Sequence, residues 1–187
     1  MKVTREQMAE HRREILEAAA RLFRARGFDS VTVAEVMQAA GLTHGGFYGH
    51  FRSKDELIAE TIGHVLSGTA ETLDPAGYSA GYLSARHRDN LSGGCPFAGL
   101  GAETIRQTPE ARAAMTAGLK RQLAALTRGA PGATAAAKRR AAIGSWSAMV
   151  GALILARFSD DSKLSDELLK ETRAWITQRE KATKPRS

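Results

Sequence analysis

Residues 41–57, GLTHGGFYGHFRSKDEL, decide the fold. The segment opens on a glycine able to break a helix and continues through Thr43, a residue type that caps helices. It closes on Ser53-Lys54-Asp55-Glu56, whose serine and glutamate stand at capping-box spacing. Between the two caps a short helix runs to about Phe51 and carries Gly45, Gly46 and Gly49. Each glycine costs about 0.8–1.0 kcal/mol against alanine in a helix interior. A helix that only packs on its own protein gains nothing from this. A helix that lies against an external partner does, because a missing Cβ lets the backbone come close.

Working outward, Thr32-Val33-Ala34-Glu35 is a further capping box and starts a short helix with Val33, Val36, Met37 and Ala40 inward, after which Leu42 fills the corner. Upstream, Ile15, Leu16, Ala19, Leu22 and Phe23 form the apolar stripe of a helix from about Gln7 to Arg26, ended by Gly27. Downstream, Leu57, Ile58, Ile62 and Leu66 mark a fourth helix from Ser53 to about Thr69. Closely spaced helix starts with a tight glycine turn between the second and third make a helix-turn-helix. In that motif the second helix enters the major groove of DNA. Gly45 and Gly46 then lie in its first turn, with His44 beside them to meet base edges. The Thr43 hydroxyl, the free amides of residues 43–46, Tyr48, His50 and Lys54 suit phosphate. Phe47 and Phe51 take the core side.

The rest of the chain reads as helical too. "DPAGYSAG" (74–81) and "NLSGGCPF" (90–97) read as connectors around a segment from Tyr82 to Arg88. Helices are expected at Phe97–Arg106, at Pro109 to about Leu126 behind Thr108, at about 134–158 and at about 164–179, with a loop over 127–137. Ile143, Trp146, Met149, Val150, Leu153 and Ile154 line one face of the first long terminal helix. Leu164, Leu168, Leu169, Trp175 and Ile176 line the second. Gly144, Ser147, Ala148, Gly151 and Ala152 keep the former narrow enough for another helix to approach. The tail 179–187 is polar and basic and reads as frayed.

Composition narrows the function. The 187 residues carry 27 Lys and Arg against 20 Asp and Glu, a net charge of +7 and a pI near 9.9, which favours polyanionic partners. The single cysteine excludes a disulfide framework and a multi-cysteine metal site, and fits a cytoplasmic setting. Charge every few residues at the N-terminus argues against a signal peptide, and no apolar run is expected to reach membrane length, so no membrane partner is expected. The five histidines show no metal-ligand pairing and no Ser-His-Asp grouping is suggested. No glycine pattern follows a strand as a nucleotide loop requires. Neither catalysis nor a cofactor is expected.

Residues 10–60, above all TVAEVMQAAGLTHGGFYGHFRSKDELI (32–58) with its Tyr-x-His-Phe element and Ser-Lys helix start, resemble the DNA-binding domain of the TetR family of bacterial transcriptional regulators. The resemblance implies an all-α homodimer, usually a repressor, whose C-terminal domain binds a small-molecule inducer and dimerises through its last two helices. By position it implies phosphate contacts at Thr32, Thr43, Tyr48, His50 and Lys54, with His44, Gly45 and Gly46 nearest the bases of a double-stranded operator. Gly46 and Gly49 depart from the pattern, where relatives often have a side chain. The expected division is a helix-turn-helix domain at 1–52 and a ligand-binding and dimerisation domain at 53–187, joined mechanically by the fourth helix.

Cys95 precedes Pro96 and an expected helix start, with Arg86, His87 and Arg88 upstream, features that lower a thiol pKa. Two readings stand: a sensor of oxidants or electrophiles, and a buried small hydrophobe. A ligand pocket is expected to draw on Tyr78, Tyr82, Phe97, Met115, Trp146 and Met149.

Overall fold

The computed structural model describes residues 4–68 and 72–183, the last four of these by backbone alone. Every regular element among them is helical. Described residues within Met1–Gly68 and Cys95–Gly118 form one compact unit, and those within Thr69–Gly94 and Leu119–Ser187 form the other. The expected boundary between residues 52 and 53 thus falls inside the first unit.

In the first unit, α1 (Arg5–Arg26) starts at a capping box of Thr4 and Gln7 and stops at Gly27, whose φ of 83° only glycine adopts without strain. Helix α2 (Val33–Ala39) starts at the reciprocal Thr32–Glu35 box. It ends in a Schellman turn: Gly41, at φ 72°, donates its N–H to the Gln38 carbonyl at 3.0 Å, and Leu42 donates to Met37 at 2.9 Å. Nothing lies within 4 Å of where a Gly41 Cβ would stand. Gly41→Ala is therefore a pure test of backbone strain, and urea unfolding should show a loss of about 1–2 kcal/mol.

The next element is a six-residue 3-10 helix, His44–Gly49, followed by α3 (Lys54–Val65). The Ser53 hydroxyl accepts the Glu56 N–H at 3.1 Å, but the Glu56 carboxylate turns to the Arg52 amide and guanidinium, so this expected capping box is half built. Helix α3 packs on α1 and ends inside the first unit, while Thr69 lies outside the described residues. The fourth helix, expected to reach about Thr69, ends at Val65. The unit's core is built from Ile15, Phe23, Phe28, Val36, Met37, Phe47, Phe51, Leu57 and Ile62. Helix α6 joins α1.

In the second unit, "DPAGYSAG" is not a connector. Asp74 caps Gly77 at 2.8 Å and Pro75 takes the first helical position of α4 (Pro75–Tyr82). The Asp-Pro signal outweighs the two glycines behind it. After α5 (Ala85–Asp89), Pro96 opens α6 (Pro96–Thr104) in the first unit. Helix α7 (Pro109–Gly129) is the element with residues in both units, and it extends three residues beyond the expected Leu126.

Helices α8 (Ala135–Phe158) and α9 (Ser162–Thr183) pack on each other and complete the second unit. Helix α9 continues past Arg179, so the tail expected to fray is helical to Thr183, and residues 184–187 lie outside those described. The α8 stripe is split between two faces: Trp146, Met149 and Leu153 are buried, whereas Ile143 and Ile154 are exposed. Contrary to expectation, α8 is long and apolar enough to cross a membrane, with a mean hydropathy of 1.5 over its most apolar window. A third of that window is buried inside the protein, and a core helix passes the same test.

Candidate nucleic-acid interface

The 3-10 helix has two unlike faces. Phe47 and Phe51 stack 5.8 Å apart in the core. Thr43, His44, Gly45, Gly46, Tyr48 and Gly49 are all exposed, Tyr48 at 72%. None of the three glycines has positive φ. A Cβ added at Gly45 or Gly49 meets nothing within 4 Å, and one at Gly46 meets Met37 and Thr43 at ordinary contact distances of 3.7 and 3.8 Å. Neither backbone strain nor internal packing asks for glycine here. Three such residues among six account for the short 3-10 form where an α-helix was expected.

The amide set is smaller than expected. The Gly46 N–H goes to the Thr43 carbonyl at 3.0 Å and the His50 N–H to Phe47 at 2.9 Å. Thr43 stands at the N-cap position without a capping bond from its side chain, which leaves the hydroxyl out of helix capping. Thr32 is the opposite case. Its hydroxyl accepts the Glu35 N–H at 3.2 Å and donates to the Glu35 carboxylate at 2.8 Å. A phosphate at Thr32 has to compete with Glu35 for that proton.

The Thr32 amide and hydroxyl, with Arg26 at 2.8 Å, hold the Glu35 carboxyl at about 2 against an ordinary 4.5. Its folded value is depressed, so its stabilising contribution is present above pH 4.5 and is lost as pH falls through about 2.

His50 is half-buried, with its ring edge-on to His11 at 6.1 Å between centroids. Burial, then the neighbouring His11 and Arg12, push its pKa below the usual imidazole value. At neutral pH it meets a partner as a neutral N–H donor rather than a cation. Lys54 opens α3 and is half-buried.

One residue that organises this surface was missed in the sequence. Arg12 of α1 donates to the His50 carbonyl at the end of the 3-10 helix and to both carboxylate oxygens of Glu60 in α3. It also lies 4.2 Å over the Phe51 ring. It ties three elements together, yet in the sequence it is one arginine among several on a charged helix.

In the second unit, Tyr82 packs on Trp146 at 5.3 Å and on Tyr78 at 5.7 Å, and Met149 is fully buried one turn along α8. His87, read in the sequence only as a basic neighbour of Cys95, stands edge-on to Tyr82 at 4.6 Å, with Nδ1 2.7 Å from the Tyr82 carbonyl. Phe97 and Met115 pack against the core of the first unit.

Cys95 is 8% exposed and occupies the N-cap position of α6. Arg24 lies within electrostatic reach of it, and burial lowers the Arg24 pKa. Two of the upstream basic residues have partners of their own. Arg88 pairs with Asp89 and Asp166, and His87 stands at Tyr82.

Residues 15–61 match the family model for bacterial regulatory proteins of the tetR family. The chain is 39% identical over 83 residues to ArpR of Pseudomonas putida, a probable transcriptional regulator, covering 40% of each protein. It is 37% identical over 59 residues to KstR2, a transcriptional repressor of Mycolicibacterium smegmatis, covering 32% of this chain and 29% of that one. These alignments thus span two fifths or less of the curated relatives' own length. Among solved structures, E. coli NemR in its reduced form superposes with a TM-score of 0.71 at 20% identity, covering 90% of this chain and 96% of that one. A TetR transcriptional regulator from Chloroflexus aurantiacus superposes with a TM-score of 0.66 at 25% identity, covering 92% and 97%.

Proposed function

Because the chain belongs to the TetR family of bacterial transcriptional regulators, we propose that it is a homodimeric, ligand-responsive repressor that binds a near-palindromic operator and is released from it by an inducer. The observation that carries this reading is the exposed glycine face of the 3-10 helix, for which the protein has no internal use. Its family relatives are named as transcriptional regulators, not enzymes. Selection from random duplex DNA tests the reading, and a palindromic consensus is the expected outcome. Two recognition helices about 34–36 Å apart fit successive major grooves. His44, Gly45 and Gly46 face the bases, while Thr43, Tyr48, His50 and Lys54 hold phosphate. Thr32 contributes to phosphate binding only where the phosphate displaces Glu35.

Dimerisation is assigned to α8 and α9. Ile143, Ile154, Leu155, Phe158, Leu164 and Trp175 are exposed on these helices, Phe158 at 71%. The positions where Gly144 and Gly151 lack a Cβ face open space, so the narrow side of α8 is available to a second copy. Sedimentation at micromolar concentration should give a dimer, and a monomer would remove the half-site geometry. The protein works in the cytoplasm, where its operator is.

The inducer site is assigned to the Tyr78, Tyr82, Trp146 and Met149 cluster, and a thiol-reactive inducer to Cys95, which stands at the N-cap of α6 near Arg24. Helix α7, with residues in both units, takes the linking role expected of α3. An inducer lowers operator affinity by its differential affinity for the two conformations. Cys95→Ser should bind operator as the wild type does and lose release by oxidants or quinones. Unchanged release would leave Cys95 as a core residue.

A further inference from the structure

Helix α6 turns Cys95, Gly99 and Glu103, four residues apart and so on one face, toward the last turn of α1. Cys95 lies within electrostatic reach of Arg24. A Cβ on Gly99 would stand 3.6 Å from the Arg24 carbonyl oxygen. At the far end of the row, the Glu103 carboxylate accepts the Phe28 N–H at 2.7 Å. It also fills the space beside Gly27, where a Cβ would stand 2.5 and 2.9 Å from its two oxygens. Gly27 therefore answers to two demands, its positive φ and the carboxylate against it.

What Glu103 holds is the point from which the helix-turn-helix hangs. Phe28 is fully buried, edge-on to Phe23 at 5.3 Å, and four residues later Thr32 caps α2. A carboxylate near the C-terminus of α1 faces the negative end of that helix, an unfavourable place for a charge unless an amide receives it. The Phe28 N–H is that amide.

We propose that Glu103 is a positioning residue for operator binding, acting through the Phe28 amide to fix the α1–α2 turn and thus the placement of the recognition helix. This rests on the regulator reading given above.

The test uses the full-length protein with Glu103→Ala, Glu103→Asp and Glu103→Gln. Glutamine keeps an acceptor oxygen for Phe28, aspartate falls one methylene short, and alanine removes the contact. Affinity for the selected operator should fall about tenfold or more in the alanine and aspartate variants and stay within about threefold for glutamine, with affinity for a scrambled duplex unchanged in all three. In the DNA-free protein, amide hydrogen exchange at Phe28 should accelerate for alanine and aspartate and remain slow for glutamine. If the alanine variant does not fold, the aspartate variant carries the same expectation. Wild-type operator affinity in either variant, or unaltered Phe28 protection, overturns the proposal. A selection that yields no operator overturns the regulator reading instead, and Phe28 exchange still decides whether Glu103 holds the turn.

Discussion

Replacing Gly45 and Gly46 together with alanine is expected to leave the protein as stable or more so, and to weaken operator binding about tenfold or more, some 1.4 kcal/mol. Both parts follow from the same geometry. The φ angles are ordinary, and the added methyl groups meet open space or side-chain atoms no closer than 3.7 Å. Alanine then stabilises chiefly by restricting the unfolded chain, by about 0.4–1 kcal/mol per site. The same methyl groups project from the surface assigned to the major groove, where they hold the backbone away from sugars and bases. Thermal unfolding and operator titration on one preparation check the pair of effects. Equal operator affinity would mean that the glycines serve neither fold nor DNA, and the close-approach explanation would go. Gly41→Ala is the control, since there φ is 72° and the stability change has the opposite sign.

Arg12→Leu should have the larger effect on stability. The guanidinium bonds the His50 carbonyl and the Glu60 carboxylate and lies over Phe51. Its removal leaves both acceptors without that donor. The two side chains of the ion pair are 34% and 37% exposed, so water recovers part of the loss. A destabilisation of about 1–2 kcal/mol is expected, read as a lower urea midpoint at unchanged slope. Operator affinity should fall as well, because the C-terminal end of the 3-10 helix loses its tether to α1 and α3. Arg12→Lys should recover part of the stability through Glu60 alone, since an ammonium cannot reproduce the fork to two acceptors. A wild-type melting curve for Arg12→Leu would show that the phenylalanine core alone sets the recognition helix.

The first unit was legible in the sequence because its rules are local. Thr32 with Glu35, the stop at Gly41 and the Ser53 start are each written within a few neighbouring residues, and each stands where the spacing puts it. The third helix was expected in α-form, but its three glycines weaken an α-helix, and it is a short 3-10 helix. Arg12 and Glu103 were not legible, because each acts on a residue tens of positions away and nothing in its neighbourhood marks the contact. The same holds for the pocket residues. Trp146, Tyr78 and Tyr82 come together in one unit, Phe97 and Met115 pack against the core of the other, and helical periodicity does not carry which residues share a unit. Helix α4 starts at Asp74-Pro75, in a stretch whose Pro and Gly residues equally punctuate a connector.

The claim that this surface reads sequence, rather than gripping phosphate alone, is tested most directly by the ratio of affinities for the selected palindrome and a scrambled duplex of equal length at one physiological salt concentration. A ratio of about a thousand or more is predicted, as for specific regulators. A ratio near one, with binding to both duplexes falling steeply as salt rises, would contradict the account and leave a basic helix-turn-helix that holds DNA without choosing among sequences.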